Sequence, residues 1–205
     1  MIAIVDYGMG NTFSVLNAFD YLGEDISICS TAEELSKADR IVLPGVGAFP
    51  DCMEALKKRD LIDILNKKVL IEKIPFLGIC LGMQVLSAYG EENGGAKGLG
   101  WLSAEVKKMK PNLDVTKIPN IGWEAVVSCR PSALFSKGHL EQDFYFVHSY
   151  HMVCDDELDV TSYYSMEDRK IVSSVQKENI FGVQFHPEKS SSNGIDLLMN
   201  FLRYK

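Results

Sequence analysis

The chain of 205 residues is long enough for one sizeable hydrophobic core, and we expect a single domain over residues 1–205. Its net charge of −7, with no run of basic residues, argues against a nucleic-acid-binding surface. The sequence has no apolar stretch near the roughly 18 residues of a membrane-spanning helix and no signal peptide at its start, so we expect a cytoplasmic protein that binds no membrane.

The first half of the chain alternates predicted strands and helices. Strands are predicted at residues 2–5, 26–29, 41–43 and 75–79, and helices at residues 12–22, 32–37 and 51–72. Gly23 ends the first helix, and Thr31 with Glu34 forms a capping box for the second. Strand–helix units in series predict a parallel sheet covered by helices on both faces. Ligands bind such sheets at the carboxyl ends of the strands.

The second half is richer in strands. Strands are predicted at residues 104–109, 124–128, 143–148, 160–165, 171–176 and 180–185, and a last helix at residues 194–204. Closely spaced strands without helices between them indicate antiparallel additions. For the glycine-rich residues 90–100 we favour a flexible surface loop over a binding lid. The predicted fold is a single-domain, three-layer α/β/α structure with a central, mostly parallel sheet.

Cys80 lies at the predicted junction between the fourth strand and the helical pattern near Met83. Gly78 and Gly82 stand two residues before and two residues after it. This spacing is typical of a nucleophile elbow, a sharp turn that exposes the central side chain at the end of a strand. The positive end of the following helix would favour a thiolate. Cys80 is therefore a candidate covalent nucleophile, although a single cysteine is more often a small buried hydrophobe.

A general base for this thiol is predicted near the other end of the chain. His186 follows the strand at residues 180–185, and Glu188 is close enough to hold one nitrogen of its ring. A cysteine, a histidine and a carboxylate at the ends of neighbouring strands form a hydrolytic triad. The five cysteines have no zinc spacing, so we expect free thiols in a reducing compartment, with neither a metal nor a cofactor.

The turn Pro44-Gly45-Val46-Gly47 follows the third predicted strand. Attack on an amide carbonyl creates an oxyanion, which needs two hydrogen-bond donors aimed at it in advance. One donor would be the N–H group of Leu81, just after the nucleophile, and the glycine-rich turn can bring a second. A plain exit from the strand explains the Pro-Gly pair equally well.

These motifs resemble those of the class I (triad) glutamine amidotransferases, which hydrolyse glutamine to glutamate and ammonia. The resemblance rests on GICLGMQ around Cys80 and on FHPEKS around His186. Finer features are similar to the glutaminase-subunit family of imidazole glycerol phosphate synthase, an enzyme of histidine biosynthesis. They are DYGMGN at residues 6–11, PGVGAF at 44–49, IGW at 121–123 and YFVHSY at 145–150. The match spans essentially the whole chain and keeps the order of the motifs.

The resemblance implies a role for each matching residue. Cys80 would form a γ-glutamyl thioester, with His186 as base and then acid and Glu188 orienting it. The oxyanion would be bound by Leu81 and by the Gly45-Val46 peptide, the latter after a peptide rearrangement. The substrate's α-amino-acid end would be held by Gly47, Gln84, Ser149 and Tyr150.

The resemblance also implies a partner, a (β/α)8-barrel cyclase subunit that receives the ammonia. The residues facing this partner would be Asn11, Trp123, Tyr145 and Lys189. Trp123 and Tyr145 could instead be core aromatics, and Lys189 a solvated charge. Free ammonia is protonated in water and loses its nucleophilicity, so a sealed interface would serve the reaction.

Two positions depart from the family's pattern. Asn120 and Glu124 stand where most members carry histidine and asparagine, near the expected interface. One alternative is therefore a second-copy glutaminase that feeds ammonia to a sugar amidotransferase in surface-glycan synthesis. Two further alternatives are a cysteine hydrolase of related fold and a non-catalytic glutamine-binding regulator. Both fit less well, because the triad members and Gln84 are all present.

Overall fold

The computed structural model describes residues 1–110, 117–135 and 141–204, so the predicted domain of residues 1–205 includes three stretches outside these ranges. The strands are β1 (Ile2–Val5), β2 (Ile26–Cys29), β3 (Arg40–Gly45), β4 (Phe76–Cys80), β5 (Tyr89–Gly90), β6 (Ala96–Lys97), β7 (Ala104–Lys108), β8 (Asn120–Ser128), β9 (Glu141–His148), β10 (Tyr150–Cys154), β11 (Val160–Met166), β12 (Arg169–Lys177) and β13 (Ile180–Val183). The helices are α1 (Thr12–Tyr21), α2 (Ala32–Ser36), α3 (Phe49–Lys58), α4 (Leu61–Asn66), α5 (Leu81–Gln84) and α6 (Ser191–Arg203), with a π-helical turn at Lys67–Ile71 after α4.

The main sheet has the strand order β2-β1-β3-β4-β13-β12-β11-β8-β9. The pairings from β2 to β13 are parallel, and those from β13 to β9 are antiparallel. This order confirms the α/β class with antiparallel additions that the strand spacing predicts. It also places β4 between β3 and β13, so that the ends of three predicted site-bearing strands meet at one edge.

Hydrophobic residues fill both faces of this sheet. On β1, Ala3 and Val5 join one core cluster, and Ile2 and Ile4 join the other. A strand buried on both faces is a continuous apolar run, and this is how residues 2–5 look in the sequence. Helices α2, α3 and α4 contribute to the first cluster. Helices α1 and α6 contribute to the second, which completes the three predicted layers.

A second, smaller sheet with the order β10-β7-β5-β6 packs on the α2–α4 side. Val106 of β7 and Met152 of β10 join the core cluster there. The predicted surface loop at residues 90–100 contains short strand segments, because Gly90 belongs to β5 and Ala96–Lys97 forms β6, and its flexibility stays a prediction. Strands of two residues show no periodicity, and their pairing with β7 is not local, so the sequence pattern cannot reveal them.

Helix α3 begins at Phe49, two residues before its predicted start, and two further helices also begin earlier than the sequence predicts. Helix α5 begins at Leu81, directly after Cys80, and α6 begins at Ser191. Neither start has a side-chain cap, which is the signal that usually marks a helix start in a sequence. In the part of the chain that the structure describes, no helix combines the length and the apolar character needed to cross a membrane.

Candidate active site

Cys80 is the last residue of β4 and sits in a strained backbone conformation, with φ 55° and ψ −110°. The flanking glycines permit the tight turn. A Cβ atom on Gly78 would overlap the backbone of Gly82, and one on Gly82 would overlap the carbonyl of Leu43. The predicted elbow geometry is present. Helix α5 is only four residues long, however, so its macrodipole is too small to be the main stabiliser of a thiolate.

His186 follows β13 and lies between the thiol and a carboxylate. Its Nδ1 atom is 2.8 Å from Oε1 of Glu188. Burial lowers the pKa of His186, but hydrogen bonds with Cys80 and Glu188 outweigh burial and raise this pKa well above its ordinary value. This arrangement favours a charged imidazolium beside the Glu188 carboxylate at neutral pH. The three side chains thus meet at the edge where β4 and β13 end.

The Glu188 carboxylate is almost wholly enclosed, with a side chain 1% exposed. Its Oε1 atom accepts from His186, while Oε2 has no hydrogen-bond partner among the described residues. The turn that holds the pair is fixed by Ser190, whose hydroxyl donates to the His186 carbonyl. A buried carboxylate with a single partner directs its charge at the imidazole ring.

A cavity of about 280 Å³ opens above Cys80. It is lined by Val46, Gly47, Cys80, Leu81, Gln84, Glu92, Pro119, Val147, His148, Ser149, Tyr150, His186 and Lys189. The four residues predicted to bind the substrate's α-amino-acid end are all in this lining. The volume is near the lower end of ligand pockets, which suits a small substrate.

Gly45 lies beside the cavity and contacts the elbow. In the β3–β4 register it is the partner of Cys80. A Cβ atom on Gly45 would lie 2.8 Å from Cβ of Leu81 and 2.9 Å from the backbone nitrogen of Gly82. The carbonyl of Pro44 accepts a hydrogen bond of 3.0 Å from the Tyr7 hydroxyl, which anchors the start of this turn. The predicted oxyanion residues Gly45, Val46 and Leu81 are therefore neighbours.

Glu92 lines the cavity, although sequence reasoning did not select it. Its Oε2 atom accepts a 2.8 Å hydrogen bond from the backbone N–H of Phe49, at the start of α3. This contact ties the segment between β5 and β6 to the cavity wall. An acidic residue within a glycine-rich stretch carries no local pattern that would identify it as a ligand-binding group.

Gln84 and Gln184 form a second polar group that sequence reasoning only partly identified. The Gln84 side-chain amide donates to the carbonyl of Tyr150 and to Oε1 of Gln184, each at 3.0 Å. The Gln184 amide in turn donates to Sγ of Cys80 at 3.6 Å. Gln184 is fully buried, and its position two residues before His186 was the only sequence signal available.

His148 also lines the cavity, and its environment is the opposite of that of His186. Burial lowers the pKa of His148 to about 4, although a hydrogen bond to the Tyr150 carbonyl opposes this shift. Its Nδ1 atom is 2.8 Å from that carbonyl, and its Nε2 atom is 3.1 Å from the Tyr164 hydroxyl. His148 is therefore neutral at pH 7 with both ring nitrogens engaged, which leaves His186 as the available base.

The predicted partner residues form an exposed surface beside the cavity. Trp123 is 52% exposed, so the alternative that it is a core aromatic is wrong. Its ring packs edge-to-face against that of Tyr145, with 6.0 Å between the ring centroids. Nζ of Lys189 lies 6.0 Å from the centroid of the Tyr145 ring. Asn11 caps α1, which packs against the turn at Pro187–Lys189.

Asn120 and Glu124 lie on the other face of β8 from Trp123. Side chains alternate along a strand, and Ile121, Trp123 and Val127 of β8 are exposed whereas none of its even-numbered positions is. Asn120 neighbours both Glu124 and Tyr164, and its Nδ2 atom has no hydrogen-bond partner among the described residues. Burial raises the pKa of Glu124, and the neighbouring Asn120 amide opposes the shift only in part. The two departures from the family's pattern thus lie on the face of β8 opposite the exposed Trp123.

Comparisons with known proteins agree with this geometry. The family model for class-I glutamine amidotransferases matches residues 3–204. The chain is 46% identical over 203 residues to imidazole glycerol phosphate synthase subunit HisH 2 of Methanococcus maripaludis, covering 99% of each chain. It is 45% identical to subunit HisH of Bacillus cereus, covering 98% of this chain and 93% of the relative.

A solved structure titled PurLQS from Thermotoga maritima superimposes with a TM-score of 0.77 at 19% identity, covering 99% of this chain and 97% of the other. At that identity the likeness bears on the fold alone. The match over nearly the full chain and the identity to its relatives decide the family. The chain belongs to the class-I glutamine amidotransferases, and among them to the HisH subunits of imidazole glycerol phosphate synthase.

Proposed function

We propose that the chain is a single glutamine amidotransferase domain of the cytoplasm that hydrolyses L-glutamine to glutamate and ammonia. The ammonia passes to a (β/α)8-barrel cyclase subunit that makes imidazole glycerol phosphate in histidine biosynthesis. One observation carries the proposal: the Cys80–His186–Glu188 arrangement stands at a cavity whose wall includes Gln84 and Glu92. The names of the HisH relatives support the pathway, and the five unpaired cysteines suit a reducing compartment.

The first half-reaction forms the thioester. The Cys80 thiolate attacks the side-chain amide carbon of glutamine, and the carbonyl oxygen becomes an oxyanion. The N–H of Leu81 and the N–H of the Gly45-Val46 peptide donate hydrogen bonds to this oxyanion. Such stabilisation of the oxyanion is usually the largest single contribution to the rate of acyl transfer. The C–N bond then breaks, and the His186 imidazolium gives its proton to the departing ammonia.

The second half-reaction releases glutamate. His186, now neutral, takes a proton from water, and the resulting hydroxide attacks the thioester carbon. The C–S bond breaks, its electron pair returns to sulfur, and the thiolate–imidazolium pair is restored. Glu188 keeps the proton on Nδ1 of His186, so that Nε2 faces the reacting groups, and stabilises each imidazolium that forms.

Recognition of glutamine uses the opposite end of the cavity. The free amino acid carries an α-ammonium group, and the carboxylate of Glu92 provides the matching charge. Both N–H groups of the Gln84 amide are engaged, so its side-chain oxygen is left to accept a hydrogen bond from the ligand. Backbone groups of Gly47, Ser149 and Tyr150 complete the site.

Glu92→Gln is expected to raise KM for glutamine about tenfold, with kcat changed by less than threefold, because the ionic contact is made equally in ground and transition states. The amide oxygen of the side chain that replaces Glu92 can still accept the hydrogen bond from the Phe49 N–H, so the local fold is kept. Steady-state glutamate release measures both constants. Glu91→Gln is the matched control, since Glu91 accepts from the Lys108 N–H outside the cavity. Equal KM values for the two variants would refute the role of Glu92.

The partner would cover the exposed face of β8 and β9. Ile121 and Trp123 lie there with Tyr145, next to Lys189 and the cavity mouth. An exposed aromatic patch beside an active site is typical of a protein interface. Ammonia leaving Cys80 on this side would enter the partner without meeting bulk water.

Trp123→Ala is expected to weaken binding of the barrel subunit about 30-fold, since buried tryptophans are common interface hot spots. Titration calorimetry of the purified subunits measures this affinity. Leu158→Ala is the control, because Leu158 is an exposed apolar residue in the turn at Glu157–Asp159. An unchanged affinity of Trp123→Ala for the barrel subunit would show that the interface lies elsewhere on the chain.

The acceptor of the ammonia is tested by glutamate release from the chain alone and with the organism's barrel cyclase and its ribonucleotide ligand. Strong stimulation supports the histidine-pathway proposal. Absent stimulation, with Cys80 still reactive toward a glutamine-like electrophile, would favour the second-copy, sugar-amidation alternative. Asn120 and Glu124 do not favour that alternative through the Trp123 face, because they lie on the opposite face of β8.

A further inference from the structure

A buried line of hydrogen bonds runs from the substrate-binding wall to the nucleophile. It starts at the backbone carbonyl of Tyr150, continues through the amides of Gln84 and Gln184, and ends at Sγ of Cys80. Gln184 has no exposed surface, and Gln84 is also buried. Neither amide is needed to satisfy the strand ladder, so this line calls for a separate explanation.

The direction of every hydrogen bond in this line is fixed by its first member. A backbone carbonyl can only accept, so Gln84 must present its NH2 group to Tyr150. The same NH2 group faces Gln184, which must therefore present its oxygen to Gln84. The NH2 group of Gln184 is then left for Cys80. Flipping either amide would set two donors or two acceptors against each other in a dry interior.

The sulfur consequently has neighbours that favour opposite protonation states. The carbonyl of Val147 lies 3.8 Å from Sγ and accepts from the thiol S–H. The Gln184 N–H can only donate, and a donor binds the thiolate more strongly than the neutral thiol. With α5 too short to contribute much, a side-chain donor fills the role that the helix would otherwise have.

We propose that Gln184 stabilises the Cys80 sulfur as a thiolate and couples it to Gln84, which binds the substrate glutamine. This inference rests on the proposed function of Cys80 as the nucleophile. When the C–S bond forms, the sulfur loses its charge and the hydrogen bond weakens. When that bond breaks, the electron pair returns to sulfur beside the waiting N–H. Gln184 thus assists the resting thiolate and its departure from the thioester.

The test is the pH profile of Cys80 alkylation by a haloacetamide, a reagent that needs neither glutamine nor a partner. Mass spectrometry of the peptide containing Cys80 gives the rate for this thiol alone. In Gln184→Met the midpoint of the profile should move up by about one pH unit or more, since a charge-assisted hydrogen bond is lost. Ser173→Ala is the control: Ser173 is equally buried on β12, and its hydroxyl meets that of Ser162 and not the sulfur.

Gln184→Glu separates the two ends of the amide. Its carboxylate still accepts from Gln84 but repels a thiolate, so alkylation above neutral pH should be slower than in Gln184→Met. A purely structural role would lower the thermal unfolding temperature of the variants and leave both profiles at the wild-type midpoint. That outcome would overturn the inference.

A measurement on the unmodified sequence covers the case in which the variants do not fold. The side-chain NH2 signals of Gln184 should shift in NMR spectra when Cys80 titrates and again when it is alkylated. If these NH2 signals shift neither when Cys80 titrates nor when it is alkylated, the inference is likewise overturned. Failure of this inference is distinct from failure of the proposed function. If the wild-type chain with its partner releases glutamate from glutamine while the Gln184 profiles stay unchanged, only the role of Gln184 falls.

Discussion

Replacing Cys80 by alanine is expected to reduce partner-stimulated glutamate release to background, a loss on the order of 10⁵-fold or more. Without Sγ no thioester can form, and His186 alone cannot activate water against an unstrained amide at a useful rate. The change removes one atom from a side chain at the edge of the core, so the variant should fold and still bind the partner. A coupled assay for glutamate measures the loss.

Cys129→Ala is the matched control for this prediction. Cys129 is exposed, and its thiol donates to the carbonyl of Val160. This variant should keep full activity. Substantial glutamate release by Cys80→Ala, or its loss in Cys129→Ala, would show that a different group attacks the amide.

Glu188→Gln is expected to lower kcat roughly 100-fold. The amide oxygen can take the place of Oε1 and still accept from Nδ1 of His186. The amide NH2 would then occupy the position of Oε2, which has no partner among the described residues. The imidazole keeps its tautomer but loses the neighbouring charge, and hydrogen bonds to charged groups are worth about 1.5–3 kcal/mol.

The same variant should change the pH dependence in a defined direction. Contacts with Cys80 and Glu188 raise the pKa of His186, so its protonated form persists to alkaline pH in the wild type. Removing the carboxylate charge lowers that pKa, and the thiolate–imidazolium pair is then lost at a lower pH. The alkaline limb of the kcat/KM profile should move toward neutrality. Glu188→Ala should be worse than Glu188→Gln, because it also releases the ring; equal rates for the two variants would contradict this account.

The elbow and the triad could be predicted because their signals are local. Gly78 and Gly82 bracket Cys80 at spacings that only a tight strand-to-helix turn requires, and Glu188 is two residues from the histidine that it holds. Strand ends follow from apolar runs, and parallel strands bring their carboxyl ends to one edge. Those rules suffice to bring Cys80 and His186 together from positions more than a hundred residues apart in the chain.

Other parts of the site depend on pairing and packing that no local pattern records. Glu92 reaches the cavity only because β5 and β6 join a second sheet. Gln184 donates to Cys80 because the carbonyl of Tyr150 fixes the orientation of the Gln84 amide. These hydrogen bonds join residues from three separate segments of the sequence. The face of β8 on which Asn120 and Glu124 lie depends on where the strand begins. A one-residue change of register would move both side chains to the opposite face.

The identity of the nucleophile is tested by reaction of the purified chain with a diazoketone analogue of glutamine, followed by mass spectrometry of every cysteine-containing peptide. We expect one equivalent of label on Cys80, protection of Cys80 by glutamine, and no label on the other cysteines. Accessibility alone predicts the reverse, because Cys129 is exposed and Cys80 is buried. Labelling that follows accessibility, or that glutamine does not prevent, would contradict Cys80 as the nucleophile of a glutaminase.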